Sequence, residues 1–206
     1  MKLEILKPFG PSIAKVKIPE EIIKEMNNYA DGIIQDEKKL KDLDHGNQLA
    51  GNVHQEFLLD IDFMKKISWA NFLAQICAQW IKNENGKELK NFKIIKSWIV
   101  RQFKNEYNPA HFHSGHISGV GYLKVPSSLG NTSQKNKRIN HNGRLELIEC
   151  SPKLLCKGNY IVKPEVGDFY LFPAYLLHTV YPFVDSDDER RSVSFNATLD
   201  PVAASL

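Results

Sequence analysis

The pattern of hydrophobic and polar residues divides the chain into a mainly helical first part and a strand-rich second part. Loose alternation predicts short strands over Met1–Leu6 and Ile13–Ile18. Pro19 then stands at the favoured first-turn position of a predicted helix. One face of this helix collects apolar residues at helical spacing, namely Ile22, Ile23, Met26, Tyr29, Ala30 and Ile33.

A second helix is predicted over Asp62–Ile81, where apolar residues occur almost all round and indicate burial on more than one face. The polar stretch Asp36–Asn52 before it is interpreted as a surface loop, and Asn83–Lys90 as a polar turn. Residues 1–90 are therefore expected to be a helical support region.

After Asn91 the chain becomes a series of short runs rich in β-branched and aromatic residues, separated by turn residues. The predicted strands are Phe92–Phe103, Ile117–Val125, Arg144–Cys150, Tyr160–Lys163, Phe169–Phe172, Thr179–Pro182 and Ser192–Leu199. Many short strands with regular turns favour a sandwich or barrel. Ser127–Asn142 is polar and partly basic, and we interpret it as a surface insertion between two strands.

Composition narrows the class of protein without naming a function. A length of 206 residues fits one domain, and 42% hydrophobic with 25% charged residues is ordinary for a folded chain. The net charge of +3 gives no reason to expect a nucleic-acid partner. The sequence contains no run of 18 apolar residues, so no membrane span is expected. The N-terminus lacks a signal-peptide pattern. Three cysteines without a CxxC motif favour a reduced, cytoplasmic protein; the oligomeric state stays open.

Three of the seven histidines lie within six residues, in the segment His111-Phe112-His113-Ser114-Gly115-His116. Positions i and i+2 of an extended segment face the same way, so His111 and His113 can direct two imidazoles at one ion. Neutral imidazole suits iron, zinc, copper or nickel, although one such pair is a weak signal by itself. His116 breaks the alternation and is expected at a rim or surface. The remaining histidines in polar segments are expected to be solvated, namely His45, His54 and His141.

A second feature begins at Gly167, where a Gly-Asp turn leads into an apolar strand, Pro173 and a lone histidine, His178. The segment that follows alternates so that one face carries polar side chains, namely Arg190, Ser192, Ser194 and Asn196. Such a row is either a solvent-facing row on an antiparallel sheet or the lining of a pocket with an anionic, hydrogen-bonding occupant. Arginine is suited to holding a carboxylate through two parallel bonds.

The order of these features resembles the iron(II)- and 2-oxoglutarate-dependent dioxygenases, and most closely a small bacterial and phage group of prolyl-hydroxylase-like proteins. The order runs from His-x-His through Ser-Gly-Val-Gly-Tyr-Leu and Gly-Asp-Phe-Tyr-Leu-Phe-Pro to a single His and then Arg-x-Ser. The resemblance covers roughly Trp98 to Leu199. It implies a mainly β fold with N-terminal helices: a double-stranded β-helix, or cupin-like jelly-roll, with the helices packed on its larger sheet. We therefore expect one domain over residues 1–206, with a jelly-roll core over 91–206.

The resemblance also implies the cofactors, which are Fe(II) and 2-oxoglutarate, and the site. His111 and His178 match the first and the distal iron ligand, and His113 occupies the third position. Arg190 would pair with the C5 carboxylate of 2-oxoglutarate, and Ser192 would complete an Arg-x-Ser clamp. Tyr122 matches a position that often hydrogen-bonds the same carboxylate. The aromatic residues Trp98, Phe103, Phe169 and Phe172 are expected in the core.

His113 departs from the family pattern, because most members carry Asp or Glu there. A shifted register, His113-Ser114-Gly115, would place glycine at the carboxylate position and resemble the halogenating branch.

The expected activity is hydroxylation of a small-molecule or peptide substrate with release of succinate and CO2, and a peptidyl proline is the family-level candidate. Two alternatives stay open: a non-enzymatic jelly-roll that binds a metal or ligand, and a three-histidine dioxygenase that does not use 2-oxoglutarate. The Arg190 and Ser192 pair discriminates between them, because it has no obvious purpose without a dicarboxylate.

Overall fold

Two antiparallel sheets face each other in the computed structural model, which describes residues 3–6, 10–134, 136–150, 154 and 157–200. The strands are β1 (Glu4–Leu6), β2 (Ile13–Lys17), β3 (Gln55–Leu58), β4 (Phe92–Gln102), β5 (Asn108–His111), β6 (Ile117–Lys124), β7 (Leu145–Ile148), β8 (Asn159–Val162), β9 (Asp168–Pro173), β10 (Leu177–Val180) and β11 (Arg190–Leu199). The larger sheet has the order β1-β2-β9-β6-β11-β4-β3, and the smaller sheet the order β5-β10-β7-β8. The predicted jelly-roll with N-terminal helices is confirmed.

Two hydrophobic clusters hold these layers together. The first lies between the helices and the outer face of the larger sheet, and includes Met26, Trp69 and Phe195. The second lies between the two sheets, and includes Tyr122 and Phe172. Strand alternation therefore gives the larger sheet one apolar face toward the helices and one face toward the space between the sheets.

The helices are α1 (Glu20–Ile34), α2 (Glu37–Leu43), α3 (Ile61–Lys66) and α4 (Trp69–Asn85). The predicted face of α1 is largely correct, since Ile22, Met26, Ala30 and Ile33 are buried. The prediction of a loop over Asp36–Asn52 is wrong over α2 and over a short 3-10 turn at Gly46–Gln48. Asp36 begins α2, because its side chain accepts a hydrogen bond from the Lys39 amide.

The predicted second helix is interrupted. Ser68 takes a left-handed conformation with φ of 60°, so α3 ends before it and α4 begins after it. Asp60 begins α3 by accepting hydrogen bonds from the amides of Asp62 and Phe63. Gly86, with φ of 74°, ends α4 four residues later than predicted, because glycine adopts this conformation without steric cost.

Strands β3 and β5 were not predicted. The first 90 residues are not only helical support, because their strands β1, β2 and β3 join the larger sheet. Each of the two missed strands has four residues and a partner distant in sequence: β3 pairs with β4, and β5 pairs with β10. The described residues of Ser127–Asn142 contain neither strand nor helix, as expected of an insertion. Cys156 lies outside the described residues. Within the described part of the chain, no helix is both long and apolar enough to cross a membrane.

Candidate metal centre

Three histidines converge between the sheets. His111 ends β5 and lies directly across the ladder from His178 in β10. His113 follows β5, where its amide donates a 2.9 Å hydrogen bond to the carbonyl of Ala174. One ligand nitrogen from each ring lies within 4.8 Å of the other two, and the Nε2 atoms of His113 and His178 are 3.2 Å apart. The His-x-His spacing predicts the first two of these histidines on one side of the chain, and the family resemblance implies that His178 joins them.

Backbone carbonyls orient two of these rings. His111 Nδ1 lies 2.7 Å from the carbonyl oxygen of Pro109, and His178 Nδ1 lies 3.0 Å from that of Leu176. An Nδ1–H that donates to a carbonyl places the free lone pair on Nε2, which is the usual arrangement for a metal-binding histidine. The local backbone thus presents both Nε2 atoms to the shared space.

Burial keeps the three imidazoles neutral at neutral pH. Burial lowers the pKa of His113 to about 3, together with the neighbouring His178 and His111 and with Lys96. It also lowers the pKa of His178 to about 4, aided by His111. The pKa of His111 is lowered by burial as well, against the opposing effect of its bond to Pro109. Neutral imidazole is the form that coordinates a metal.

A cavity of about 40 Å³ is lined by the three histidines and, on its other side, by residues of the larger sheet. The predicted polar face of β11 lines it, namely Arg190, Ser192 and Ser194. Asn196 is buried on the same face, where it accepts a hydrogen bond from the Ser118 hydroxyl at 2.9 Å. The polar row therefore does not face solvent, and three of its four members line a pocket.

Arg190 is the charged group of this lining, and it is only 2% exposed. Its Nη1 donates to the side-chain oxygen of Gln102. Its Nε and Nη2 are buried without a hydrogen-bond partner among the described residues. Because buried donors are rarely left unpaired, two free nitrogens on one side of a guanidinium indicate a site for a carboxylate.

Tyr122 and Ser192 flank that guanidinium. They are directly opposite each other on β6 and β11. The Tyr122 ring centre is 5.1 Å from Arg190 Cζ, and its buried hydroxyl has no hydrogen-bond partner in the described structure. The structure thus places Arg190, Ser192 and Tyr122 together, close to the histidines. These unpaired donors fit a dicarboxylate such as 2-oxoglutarate, and the three imidazoles fit a divalent transition metal.

Arg191 points the other way. It is fully buried against the helical layer, where it bonds to Glu189 at 2.8 Å and to Asp31 of α1 at 2.7 Å. The sequence predicts the opposite faces correctly. Acidic partners allow the Arg191 guanidinium to be buried beneath α1.

The structure also distinguishes the two possible registers of the histidine motif. His111 joins the cluster, while Gly115 packs against β11, where a Cβ would lie 2.8 Å from the carbonyl oxygen of Ala197. His116 is not part of the cluster, because its Nδ1 accepts a hydrogen bond from the Leu199 amide. His45, expected to be solvated, instead lies half-buried with its Nε2 3.4 Å from Lys96 Nζ.

Several residues of the site escape sequence reasoning. Gln102 and Trp98 come from β4, and Glu56 comes from β3. Trp98 and Phe172 were expected in the core, yet both also line the cavity. A signal for Gln102 existed in the alternation of β4, which places Trp98, Val100 and Gln102 on one face. No such signal existed for Glu56, because strand β3 was not predicted.

Comparisons with known proteins agree with this geometry. Residues 96–196 match the model of the family described as "Putative 2OG-Fe(II) oxygenase". The crystal structure of a prolyl-4-hydroxylase from Pseudomonas putida has a TM-score of 0.59 at 13% identity, over 91% of this chain and 91% of that chain. HygX from Streptomyces hygroscopicus, with nickel and 2-oxoglutarate bound, has a TM-score of 0.56 at 9% identity, over 94% and 84% of the two chains. At these identities the structural likeness shows the fold alone.

One curated relative differs in its activity. An N-acetyllactosaminide alpha-2,3-sialyltransferase from Haemophilus influenzae is 27% identical over 126 residues, which cover 57% of this chain and 41% of the relative. The chain therefore spans about two fifths of that protein's length, and we do not assign the relative's transferase activity to this chain.

Proposed function

We propose that the chain is a member of the iron(II)- and 2-oxoglutarate-dependent oxygenases, and that it is an active dioxygenase that hydroxylates a C–H bond of its substrate. Its cofactors are Fe(II) and 2-oxoglutarate. The observation that carries the proposal is that one cavity holds three neutral imidazoles and a buried arginine with two unpaired nitrogens. A metal site alone would not require that arginine.

The proposed roles follow from the positions of the side chains. His111, His113 and His178 hold the iron through their free ring nitrogens. Arg190 and Tyr122 bind the far carboxylate of 2-oxoglutarate, beside Ser192, and Gln102 orients the guanidinium from behind. The fully buried core around Tyr122 keeps water away from this charged pair, which strengthens it.

When bound, iron and 2-oxoglutarate supply the oxidative chemistry: dioxygen is consumed, 2-oxoglutarate yields succinate and CO2, and one oxygen atom enters the substrate C–H bond. The protein binds, orients and shields the reactants. A peptidyl proline is the family-level substrate hypothesis; it rests on analogy with a prolyl-4-hydroxylase of the same fold and on no residue of this site.

A second candidate is a non-enzymatic module that binds a metal or ligand, and the observation that favours it is His113. Three imidazoles leave the iron one negative charge short of the usual two-histidine, one-carboxylate set. The test is succinate formation, measured by NMR after incubation with Fe(II), 2-oxoglutarate and air. We expect succinate from the wild-type protein and none from His178→Ala. Metal and 2-oxoglutarate binding without any succinate would favour the binding module.

A further inference from the structure

Glu56 is a buried acidic residue on the wall of the cavity, and the proposed chemistry gives it no role. The residue is 2% exposed, and its Oε2 atom is buried without a hydrogen-bond partner among the described residues. It lines the cavity together with the histidines and Trp98. An unpaired carboxyl oxygen in such a place is costly unless something else binds it.

Neighbouring segments fix the backbone of Glu56 and cover its carboxyl group. Glu56 lies opposite Val100 on the neighbouring strand, and its carbonyl accepts a 2.9 Å hydrogen bond from the His45 amide. The segment Gly46–Asn52 then crosses above it and is anchored at its far end by pairing with Tyr107. A Cβ atom on Gly51 would lie 2.9 Å from Glu56 Oε2, so the carboxyl fits directly under this glycine.

Leu49 and Ala50 of the same crossing segment also line the cavity. The carboxyl group therefore stands between the crossing segment and the sheet, in the part of the cavity formed by β3 and β4. Arg190 stands farther along the same sheet face, where it is enclosed by Gln102 and Tyr122. A substrate that approaches the histidines past the crossing segment would meet Glu56.

The charges around Glu56 select the kind of group that it can bind. Lys96 attracts the carboxylate electrostatically, but its Nζ lies 3.4 Å from His45 Nε2 and 5.3 Å from the centre of the Trp98 ring. Lys96 already places one positive charge beside the carboxyl, against the opposing negative charge of Asp44. A cationic substrate would bring a second positive charge close to Lys96.

We propose that Glu56 is a specificity-determining residue whose carboxyl accepts a hydrogen bond from an uncharged donor of the substrate, either a hydroxyl or an amide N–H. This inference rests on the proposed function, because it assigns a substrate class to the same cavity. Burial raises the pKa of Glu56 to about 7 despite the opposing effect of Lys96, so the carboxyl carries only part of a full negative charge near neutral pH. A neutral partner suits such a group better than a cation does.

The test uses the protein loaded with Zn(II), which is redox-inert and diamagnetic, and with 2-oxoglutarate. Four small probes are compared by saturation-transfer NMR: methyl glucoside for hydroxyls, N-methylacetamide for an amide, n-butylammonium for a cation, and butyrate for an anion. We expect a neutral probe to bind, and to bind about ten- to a hundredfold more weakly to Glu56→Leu. Glu56→Gln, which keeps one acceptor oxygen, should recover part of the loss.

Glu25→Leu is the matched control, because Glu25 is exposed on α1, and it should bind the probes as the wild-type protein does. The glucoside and amide probes decide which neutral donor is preferred. The inference is overturned if neutral probes bind Glu56→Leu equally well, if n-butylammonium is the probe that depends on Glu56, or if no probe depends on it. The wild-type protein with anaerobic Fe(II) and 2-oxoglutarate tests the proposed function separately, through its visible charge-transfer band.

Discussion

Arg190 and Arg191 are adjacent in sequence, but their side chains lie on opposite faces of the larger sheet. Comparing substitutions at the two positions therefore tests the site. Arg190→Met keeps an unbranched apolar stem but removes the guanidinium nitrogens that we assign to the carboxylate of 2-oxoglutarate. The lost contact is charged, bidentate and buried, which by analogy with a buried charge pair is worth about 2–4 kcal/mol. At about 1.4 kcal/mol for each factor of ten, 2-oxoglutarate should bind roughly 30- to 700-fold more weakly.

Arg191→Met should affect the protein differently. It breaks bonds to Glu189, whose side chain is 14% exposed, and to Asp31, whose side chain is 49% exposed. Breaking a buried pair costs about 3–5 kcal/mol, and the half-exposed Asp31 reduces this to about 3 kcal/mol. For a chain of this size that corresponds to roughly 6–12 °C in Tm, with the affinity of the folded protein for 2-oxoglutarate changed by only a few-fold.

The assay is calorimetric titration of 2-oxoglutarate into each variant under anaerobic conditions with Fe(II), paired with thermal unfolding of each variant. Equal losses of affinity in the two variants, or a larger loss in Arg191→Met at a temperature where it is fully folded, would refute the assigned faces of β11. The roles of Ser192 and Tyr122 would then fail with it, because both depend on the same register.

Three further predictions concern the metal, the buried carboxyl and the packing of the sheet. His178→Ala should lose stoichiometric iron binding, measured by equilibrium dialysis, while His141→Ala should keep it; equal binding by both would mean that the ligand set is wrong. Glu56→Gln should raise Tm at pH 8. The pKa of Glu56 is about 7 in the folded protein and near 4.3 in the unfolded chain, so ionisation of Glu56 lowers the stability of the folded state as pH rises above about 4.3. A gain in Tm that persists unchanged at pH 4 would contradict this. Gly119→Ala should lower stability by about 1–3 kcal/mol in urea unfolding, because its Cβ would lie 2.7 Å from Phe195 Cε1; an unchanged midpoint would show that the aromatic layer can move aside.

Strand periodicity explains why much of the site could be predicted. The alternation from Arg190 to Asn196 assigns each side chain to a face whatever the partner strands are, and the structure confirms those faces. The His111–His113 spacing is predictive for the same reason, because side chains two positions apart in an extended chain point to the same side of it. The lone His178 could be connected to them only through the resemblance, since its pairing with β5 is a tertiary contact.

The residues that escaped prediction depend on tertiary contacts. Glu56 reaches the cavity because β3 joins the edge of the larger sheet, and a four-residue strand carries little periodic signal. Helix α2 is polar on most sides and has no fully buried residue, so its pattern is that of a loop. The burial of Arg191 required knowing that Asp31 of α1 lies above β11.

The central claim is that the three histidines and Arg190 bind Fe(II) and 2-oxoglutarate in one cavity, and anaerobic absorption spectroscopy tests it most directly. Fe(II) and then 2-oxoglutarate are added to the wild-type protein, and the visible region is recorded after each addition. The account predicts that a weak metal-to-ligand charge-transfer band appears only when both are present, saturates at one equivalent of each, and is absent in His178→Ala. A wild-type protein that binds Fe(II) but shows no such band at any concentration of 2-oxoglutarate would contradict it.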